Sequence, residues 1–313
     1  MKCENIAVMW DSEVNWDRSV PFREDIDHMN RTYRVFSELV LERRSKAYIA
    51  NFSWYDSGRL EKAYHFDGDE WRKVEDVPVD VVFDKYKFDD ETVPLKKEIQ
   101  EEKPVLNDFR LEEICKDKLL SYQEFPELLP ETREATEENV EEMLEEYGRV
   151  IVKPRFDYGG TGIEVLEDAS GFETGENKLV QRFVDSSQGI NELGIEGVHD
   201  LRVYVLNGEN MLAYVRTPEE GLLSNVHLGG SITFVELEDV PEAALETVER
   251  VKDSFGKYAP SLYSVDMLFD SSGEVWILEF NSKPGLAFYD DEEIRQRKEP
   301  TMSGLVDSLV DMC

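Results

Sequence analysis

Residues 264–286, SVDMLFDSSGEVWILEFNSKPGL, constrain the fold more than any other stretch of the chain. Two runs of Val, Met, Leu, Trp and Ile flank a Ser-Ser-Gly turn, the pattern of an antiparallel hairpin with buried strands. Set into those apolar runs are Asp266, Glu279 and Asn281. Glu279 and Asn281 are two apart and so project from one strand face. With Ser272-Gly273 as a two-residue turn, residue 271 faces 274 and Asp266 faces Glu279. A four-residue loop shifts the register by two and keeps Asp266 on that side. Two unpaired carboxylates are costly to bury, and hard divalent cations such as Mg²⁺ take such oxygen ligands. An exposed polar face on an edge hairpin is the other way to accommodate them.

The rest of the chain divides by pattern. IAVMWD (6–11), KAYIANFS and DVVFDKY read as strands. A helix over 25–43 carries Met29, Tyr33, Phe36, Leu39 and Val40 at three- and four-residue steps. This alternation suggests an open, largely parallel α/β sheet. Residues 87–104 read as a helix plus connector, and PVLND then begins a new unit. A helix over 136–147 has Thr136 as its cap, a Val140, Met143, Leu144 and Tyr147 stripe, and Gly148 at its end. After it the character turns to β. VIVKP, GIEVL, LVQRFV, LRVYVL, MLAYVRT, SITFVEL, YSVDMLF and EVWILEFN are eight candidate strands, interrupted by a helix over 241–257. Asn207-Gly208 marks a hairpin between two of them.

Composition limits the partners. The 313 residues suffice for two or three packed units. With 35 Lys+Arg against 69 Asp+Glu, the net charge is 35 − 69 = −34, which argues against a sequence-independent grip on nucleic acid. A salt-rich cytosol would screen that charge, and an ordinary acidic cytosolic protein would also carry it. No apolar run approaches a membrane span, and the acidic N-terminus does not read as a secretory signal, so a cytoplasmic location is expected. Cys3, Cys115 and Cys313 show no metal or redox spacing and read as isolated buried or terminal thiols.

Three further segments bear chemistry. VIVKPRFDYGGTGI (150–163) delivers Lys153 from a strand into a turn holding Gly159, Gly160, Thr161 and Gly162. Glycines let backbone N–H groups approach phosphate oxygens, and a lysine ammonium is a point charge for the same anion. A glycine turn alone serves equally as a hairpin tip. LVQRFV on its own is a strand. In DLRVYVLNGENMLAYVRT, Asp200 and Arg202 share a strand face and Arg216 lies on the partner strand. Buried arginines need anionic partners, unless their heads reach solvent.

In this order, these elements resemble the ATP-grasp superfamily, most closely its glutathione-synthetase-like branch, which includes the ribosomal-protein glutamate ligases. The resemblance spans roughly 104–288. It implies an α/β (α+β) chain with an ATP-grasp fold. Residues 1–103 would form a Rossmann-like pre-ATP-grasp domain, 104–184 the central subdomain and 185–313 the C-terminal subdomain. It implies ATP and Mg²⁺ (or Mn²⁺) as cofactors. Lys118, in CKDKLLSYQ, matches the first phosphate lysine and Lys153 the second, and YGGTG matches the loop closing over the phosphates. Gln181, Arg182, Phe183 and Val184 match the adenine hinge, with Arg182 and Val184 offering backbone groups. Asp200 matches a ribose-proximal acid and Arg202 an active-site arginine. Arg216 and Asn225 match groups near the γ-phosphate and acceptor. Asp266, Glu279 and Asn281 match the magnesium triad. Between Arg216 and Asn225 the segment TPEEGLLS lacks the extra basic residues of glutamate-ligating relatives and carries Leu223 where an arginine is common, which points away from a simple glutamate acceptor.

The implied reaction joins a carboxylate to an amine through an acylphosphate, releasing ADP and phosphate. Its substrates would be small molecules or peptides, with no nucleic-acid or membrane partner, and a homodimer is in keeping with the family. An ATP-grasp kinase acting on a small molecule, or a non-catalytic nucleotide-binding protein, would use the same motifs.

Overall fold

The computed structural model describes residues 3–156, 162–219, 230–287 and 291–313. Gly159, Gly160, Thr161 and Asn225 lie outside these residues.

The opening apolar run is β1 (Asn5–Trp10), followed by α1 (Asp27–Glu42), which buries Tyr33, Phe36 and Val40. β2 (Lys46–Asn51) returns parallel to β1. Beyond β2 the sheet continues antiparallel through β3 (Tyr55–Asp56), β4 (Arg59–Phe66) and β5 (Trp71–Pro78). The chain then crosses to the other side of β1 for β6 (Val81–Asp84), and passes through α2 (Val93–Glu102) to β7 (Val105–Leu106), both parallel to their neighbours. The strand order is β3-β4-β2-β1-β6-β7, with β5 on β4. The expected parallel sheet is present but carries an antiparallel wing. PVLND, expected to open the second unit, instead completes this first sheet as β7.

Two short helices follow, α3 (Phe109–Lys116) and α4 (Lys118–Glu124). A four-stranded antiparallel sheet is then built from β8 (Thr132–Glu134), β9 (Val150–Pro154), β10 (Glu164–Leu166) and β11 (Lys178–Arg182), with α5 (Glu137–Tyr147) between β8 and β9. Thr136 caps α5 by accepting from the Asn139 amide at 3.1 Å, and Gly148 ends it at φ +70°. Val140 and Met143 of α5 pack on Val150, Val152 and Val180. Alternation along β9 therefore turns Ile151 and Lys153 to the opposite face.

The third sheet is antiparallel and five-stranded: β12 (Asp200–Leu206), β13 (Glu209–Thr217), β14 (Ser231–Val235), β15 (Leu262–Phe269) and β16 (Val275–Asn281), in the order β14-β13-β12-β15-β16. All eight strands expected after α5 are present. Asn207 and Gly208 turn the β12–β13 hairpin at φ +51° and +83°, the left-handed pair such a two-residue turn requires. One face of this sheet, including Val203, Val215, Val265, Met267, Ile277 and Phe280, packs on α6 (Glu242–Phe255) and on α3. The other face carries Arg202, Asp266 and Glu279 toward the site at one end, while Tyr204, Leu206, Leu212, Tyr214 and Leu262 at the other join the core that also holds β1 and α1.

The last helix, α7 (Glu292–Asp311), returns to the first sheet, where Met302, Leu305, Val306 and Leu309 join the core of β1 and α1. That return brings Cys3 and Cys313 together as a disulfide. The expectation of isolated thiols is corrected for these two and holds for the buried Cys115. The pairing depends on how α7 docks, which cysteine spacing does not encode.

Candidate active site

The β15–β16 hairpin reaches the expected arrangement by another route. The Asp270 amide donates to the Glu274 carbonyl at 2.9 Å, and Gly273 sits at φ +87°, so the turn holds three residues, Ser271–Gly273. An odd loop pairs Phe269 with Val275 and Met267 with Ile277. Continued unbroken, that register would send Glu279 and Asn281 into the apolar face. A β-bulge at Leu278 restores the phase: Asp266 pairs with Glu279 and Ser264 with Asn281. The bulge turns Phe280 into the core and sets Leu278 and Glu279 side by side on one wall of a cleft. Bulges beside functional sites commonly re-aim a side chain in this way.

Lys118 from α4 and Lys153 from β9 line the same cleft, with Gln181, Ser121, Leu129 and Cys115 completing the lining. Asp117 holds Lys118 in place. It caps α4 by accepting from the Leu119 and Leu120 amides, and its carboxylate takes Arg155 Nε at 2.7 Å and a second guanidinium nitrogen at 2.6 Å. Arg155 follows β9, so one bidentate pair ties the start of α4 to the strand carrying the second lysine. Lys153 is 7% exposed and donates to Gln181 Oε1 at 2.8 Å. Gln181 in turn donates to Thr132 Oγ1 at 2.8 Å. Burial, reinforced by the Lys118 charge and opposed by Glu279, pushes the Lys153 ammonium down to about 7. An ammonium held dry without a counter-charge is stabilised by an arriving anion.

The polar face continues across β12 and β13. Arg202 grips Asp266 with two nitrogens, Nε at 2.6 Å and a second, terminal one. Arg216 donates to Asp266 Oδ2 at 2.7 Å and to Asp200 at 2.7 Å. Asp266 is fully buried; that burial opposes ionisation, yet the two guanidiniums hold its carboxyl below the usual range. Asp266 is therefore not presented as an open ligand, because arginines engage both of its oxygens. Asp200 likewise orients Arg216. By contrast, Glu279 has no hydrogen-bond or ion-pair partner among the described residues, and Asn281 Oδ1 accepts only from the Lys283 amide at 2.8 Å. Two oxygen donors thus stand on the face of Asp266 with capacity to spare. That donor set fits a hard divalent cation. Among the described residues no cluster of three His, Cys, Asp or Glu side chains offers an alternative metal centre.

In the hinge, the Arg182 amide donates to the Glu131 carbonyl and the Phe183 amide to the Arg149 carbonyl. The Arg182 N–H is thus engaged within the fold, which leaves its carbonyl as the backbone group it could offer, and Val184 lies past the end of β11. Arg182 stacks over Trp276 with its guanidinium carbon 4.8 Å from the ring centre. Gly162 is at φ +72°, and a Cβ there would meet Pro154 at 3.1 Å.

Two residues escaped the sequence reading: Asp117, which carried a signal, an aspartate directly before a helix, and Leu278, which carried none. The sequence also gave no sign of a buried quartet behind the site. Lys96 and Lys283 each contact both Asp84 and Glu112, fastening the segment after Asn281 to β6, α2 and α3. Asn107 adds bonds to Leu262 and to the Ser282 carbonyl.

Comparison with known proteins identifies the family and the fold. The family described as prokaryotic glutathione synthetase, ATP-grasp domain, matches residues 117–275, just over half of the chain. Glutathione synthetases of Mesorhizobium japonicum and Gloeobacter violaceus are 29% identical over 165 residues and 28% identical over 128. Those alignments cover 49% and 37% of this chain, and 49% and 36% of the relatives, so the chain spans half or less of the proteins it matches. Among solved structures, D-alanyl-alanine synthetase A from Vibrio cholerae superposes with a TM-score of 0.64 at 15% identity, over 100% of this chain and 99% of that one. The D-Ala:D-Ser ligase VanG of Enterococcus faecalis also gives 0.64 at 15%, over 99% of each. The ATP-grasp ligase PsnB, complexed with a minimal precursor, gives 0.61 at 15%, over 99% and 100%. At these identities the likeness establishes a shared fold over the full length. With the two-lysine cleft and its acid wall, the chain belongs to the ATP-grasp domain family of the prokaryotic glutathione synthetases.

Proposed function

We propose that this protein is an ATP-dependent carboxylate–amine ligase working through an acylphosphate. The observation that carries the reading is the cleft itself, which Lys118 and Lys153 line together with Leu278 and Glu279. Lys118 and Lys153 take phosphate oxygens, and Leu278 and the segment near Val184 take the base. Glu279 and Asn281 hold Mg²⁺, with Asp266 behind them. When bound, the cation neutralises phosphate charge as it shifts toward the leaving ADP. Asp200 and Asp266 fix Arg216 so that its guanidinium meets the transferring phosphoryl group without reorganising, the condition under which such a charge counts most.

A substrate carboxylate oxygen attacks the γ-phosphorus and the bond to ADP breaks. An amine then attacks the acyl carbon, phosphate leaves, and the amine loses a proton. The resemblance assigns Gly159, Gly160, Thr161 and Gly162 to the phosphates and Asn225 to the acceptor. The test is a screen of ADP release from Mg·ATP against carboxylates labelled with ¹⁸O, paired with amines. A ligase transfers one ¹⁸O from the carboxylate to the released phosphate. A stable phosphoester product with no free phosphate would replace this reading with a kinase.

A further inference from the structure

Asn281 ends β16 with its side chain half-buried, and its carboxamide is one of the two open oxygen donors of the site. The last torsion of such a side chain is broad and two-fold, so without a hold it would present NH₂ as readily as oxygen. Its neighbour on β15 gives no hold: Ser264, directly opposite, keeps a buried hydroxyl with no partner. The hold comes from the chain just past the strand, where the Lys283 amide donates to Asn281 Oδ1 at 2.8 Å. Only the oxygen of a carboxamide can receive an N–H, and it has two lone pairs. The bond therefore decides which end of the side chain lies where, and it leaves one lone pair for a cation.

That decision is only as firm as the placement of residue 283, and the placement comes from outside the third sheet. Lys283 Nζ reaches Asp84 Oδ1 at 2.9 Å, Glu112 and the Tyr86 carbonyl, which occupies all three ammonium donors. Asp84 ends β6 and Glu112 sits on α3, each with a side chain 3% exposed. Lys96 of α2 reaches the same two carboxylates, at 3.2 Å to Glu112, so two acids and two bases leave the group neutral. Immediately before Lys283, the Ser282 carbonyl accepts from Asn107 Nδ2 at 2.6 Å. The same carboxamide clamps Leu262 at the start of β15, through both its oxygen and its nitrogen, at 2.7 Å each. A buried ionic cluster contributes little stability beyond what apolar side chains of equal volume would give. What it supplies that they do not is direction, since each of its hydrogen bonds fixes an atom rather than a surface.

We propose that Lys283 is a positioning residue for the cation. Its ammonium, locked by Asp84, Glu112 and Tyr86, fixes its own amide, and that amide turns Asn281 Oδ1 to the face it shares with Glu279. The first sheet and α3 thereby orient a ligand carried by the third sheet. The inference rests on the reading of Glu279 and Asn281 as holders of the cation, and extends it to what aims one of them.

Mn²⁺ in place of Mg²⁺, titrated into the full chain with ADP present and counted by the EPR signal of the free ion, tests this without turnover. Lys283→Met alone would leave Asp84 and Glu112 with one lysine between them. It is therefore combined with Glu112→Gln, which keeps the remaining Asp84–Lys96 pair neutral. This double variant is expected to melt cooperatively and to bind Mn²⁺ about 10–100-fold more weakly than wild type, the usual effect of removing a group that orients a metal ligand. Asn281→Ala is expected to weaken binding by about the same factor. Combining all three changes is expected to add less than about twofold to Asn281→Ala, because no oxygen remains to be aimed. Wild-type Mn²⁺ affinity in the double variant overturns the inference. So does a triple variant that shows the two losses multiplied, which would make Lys283 a general support of the sheet. Wild-type affinity in Asn281→Ala strikes the cation reading of that residue instead. Hydrogen exchange of the wild type, read by NMR, decides the matter even should the double variant not fold. The Lys283 amide is expected to be protected, and exchange at the rate of an open chain overturns the inference.

Discussion

Replacing Lys153 with methionine should make the protein more stable and less active together. In the fold the ammonium is dry, its one hydrogen-bond acceptor among the described residues is the neutral Gln181 carboxamide, and its pKa falls from 10.5 to about 7. At 1.36 kcal/mol per unit, holding that charge costs the folded state up to about 5 kcal/mol near neutral pH. The Lys153→Met variant avoids this cost but strands Gln181 Oε1, which takes back about 1–3 kcal/mol. The net gain is about 2–4 kcal/mol, or about 3–6 °C in Tm for a chain of this size. The sign with pH follows from the depressed value. Between about 7 and 10.5 the unfolded chain binds the extra proton, so wild-type stability rises with pH in that window. The advantage of the variant is therefore full below pH 7 and fades toward pH 10. In the same protein, losing a positioned cation should cost about 10²–10³ in turnover. Thermal unfolding at pH 6.5 and 9.5, with calorimetry of Mg·ATP binding, checks both halves. A variant less stable than wild type at pH 6.5, or one that binds nucleotide equally well, would refute the reasoning.

Other perturbations separate the parts of the site. Glu279→Gln should lower turnover about 10²-fold or more and leave Tm nearly unchanged, since the carboxylate has no partner among the described residues; a large Tm loss would show a structural role. Asp266→Asn should instead destabilise by about 3–5 kcal/mol, because it breaks a buried pair and leaves Arg202 and Arg216 short of their anion; denaturant melts with unchanged midpoint would contradict this. Reduction of the Cys3–Cys313 bridge, which closes a loop of 310 residues, should lower Tm by several degrees, at up to about 5 kcal/mol. Thiol labelling of the native, unreduced protein should find no reactive Cys3 or Cys313, and labelling of either would count against the bridge.

Legibility in the sequence followed locality. The Asn207-Gly208 hairpin, the Thr136 cap and the alternation of β9 depend on neighbours within a few residues, and each appears where the pattern put it. Asp266, Glu279 and Asn281 do share a face, but for a reason no spacing rule supplied: an odd turn and a bulge at Leu278 cancel. Arg202 and Arg216 were expected to need anions, yet that the anion would be Asp266 itself depends on β12, β13 and β15 lying side by side. The β4–β5 hairpin went unread because β5 is charged and largely exposed, with Trp71, Val74 and Val77 three apart rather than alternating. The quartet of Asp84, Lys96, Glu112 and Lys283 joins residues far apart along the chain, and their spacing carries no trace of it.

The central claim is that one cleft, between the lysine-bearing sheet and the bulged β16, holds magnesium and a nucleoside triphosphate. A crystal structure with Mg²⁺ and a non-hydrolysable ATP analogue tests it most directly. The account predicts phosphate oxygens at Lys118 and Lys153 Nζ and a cation on Glu279 and Asn281. A nucleotide bound elsewhere, or a cation that leaves Glu279 untouched, would contradict it.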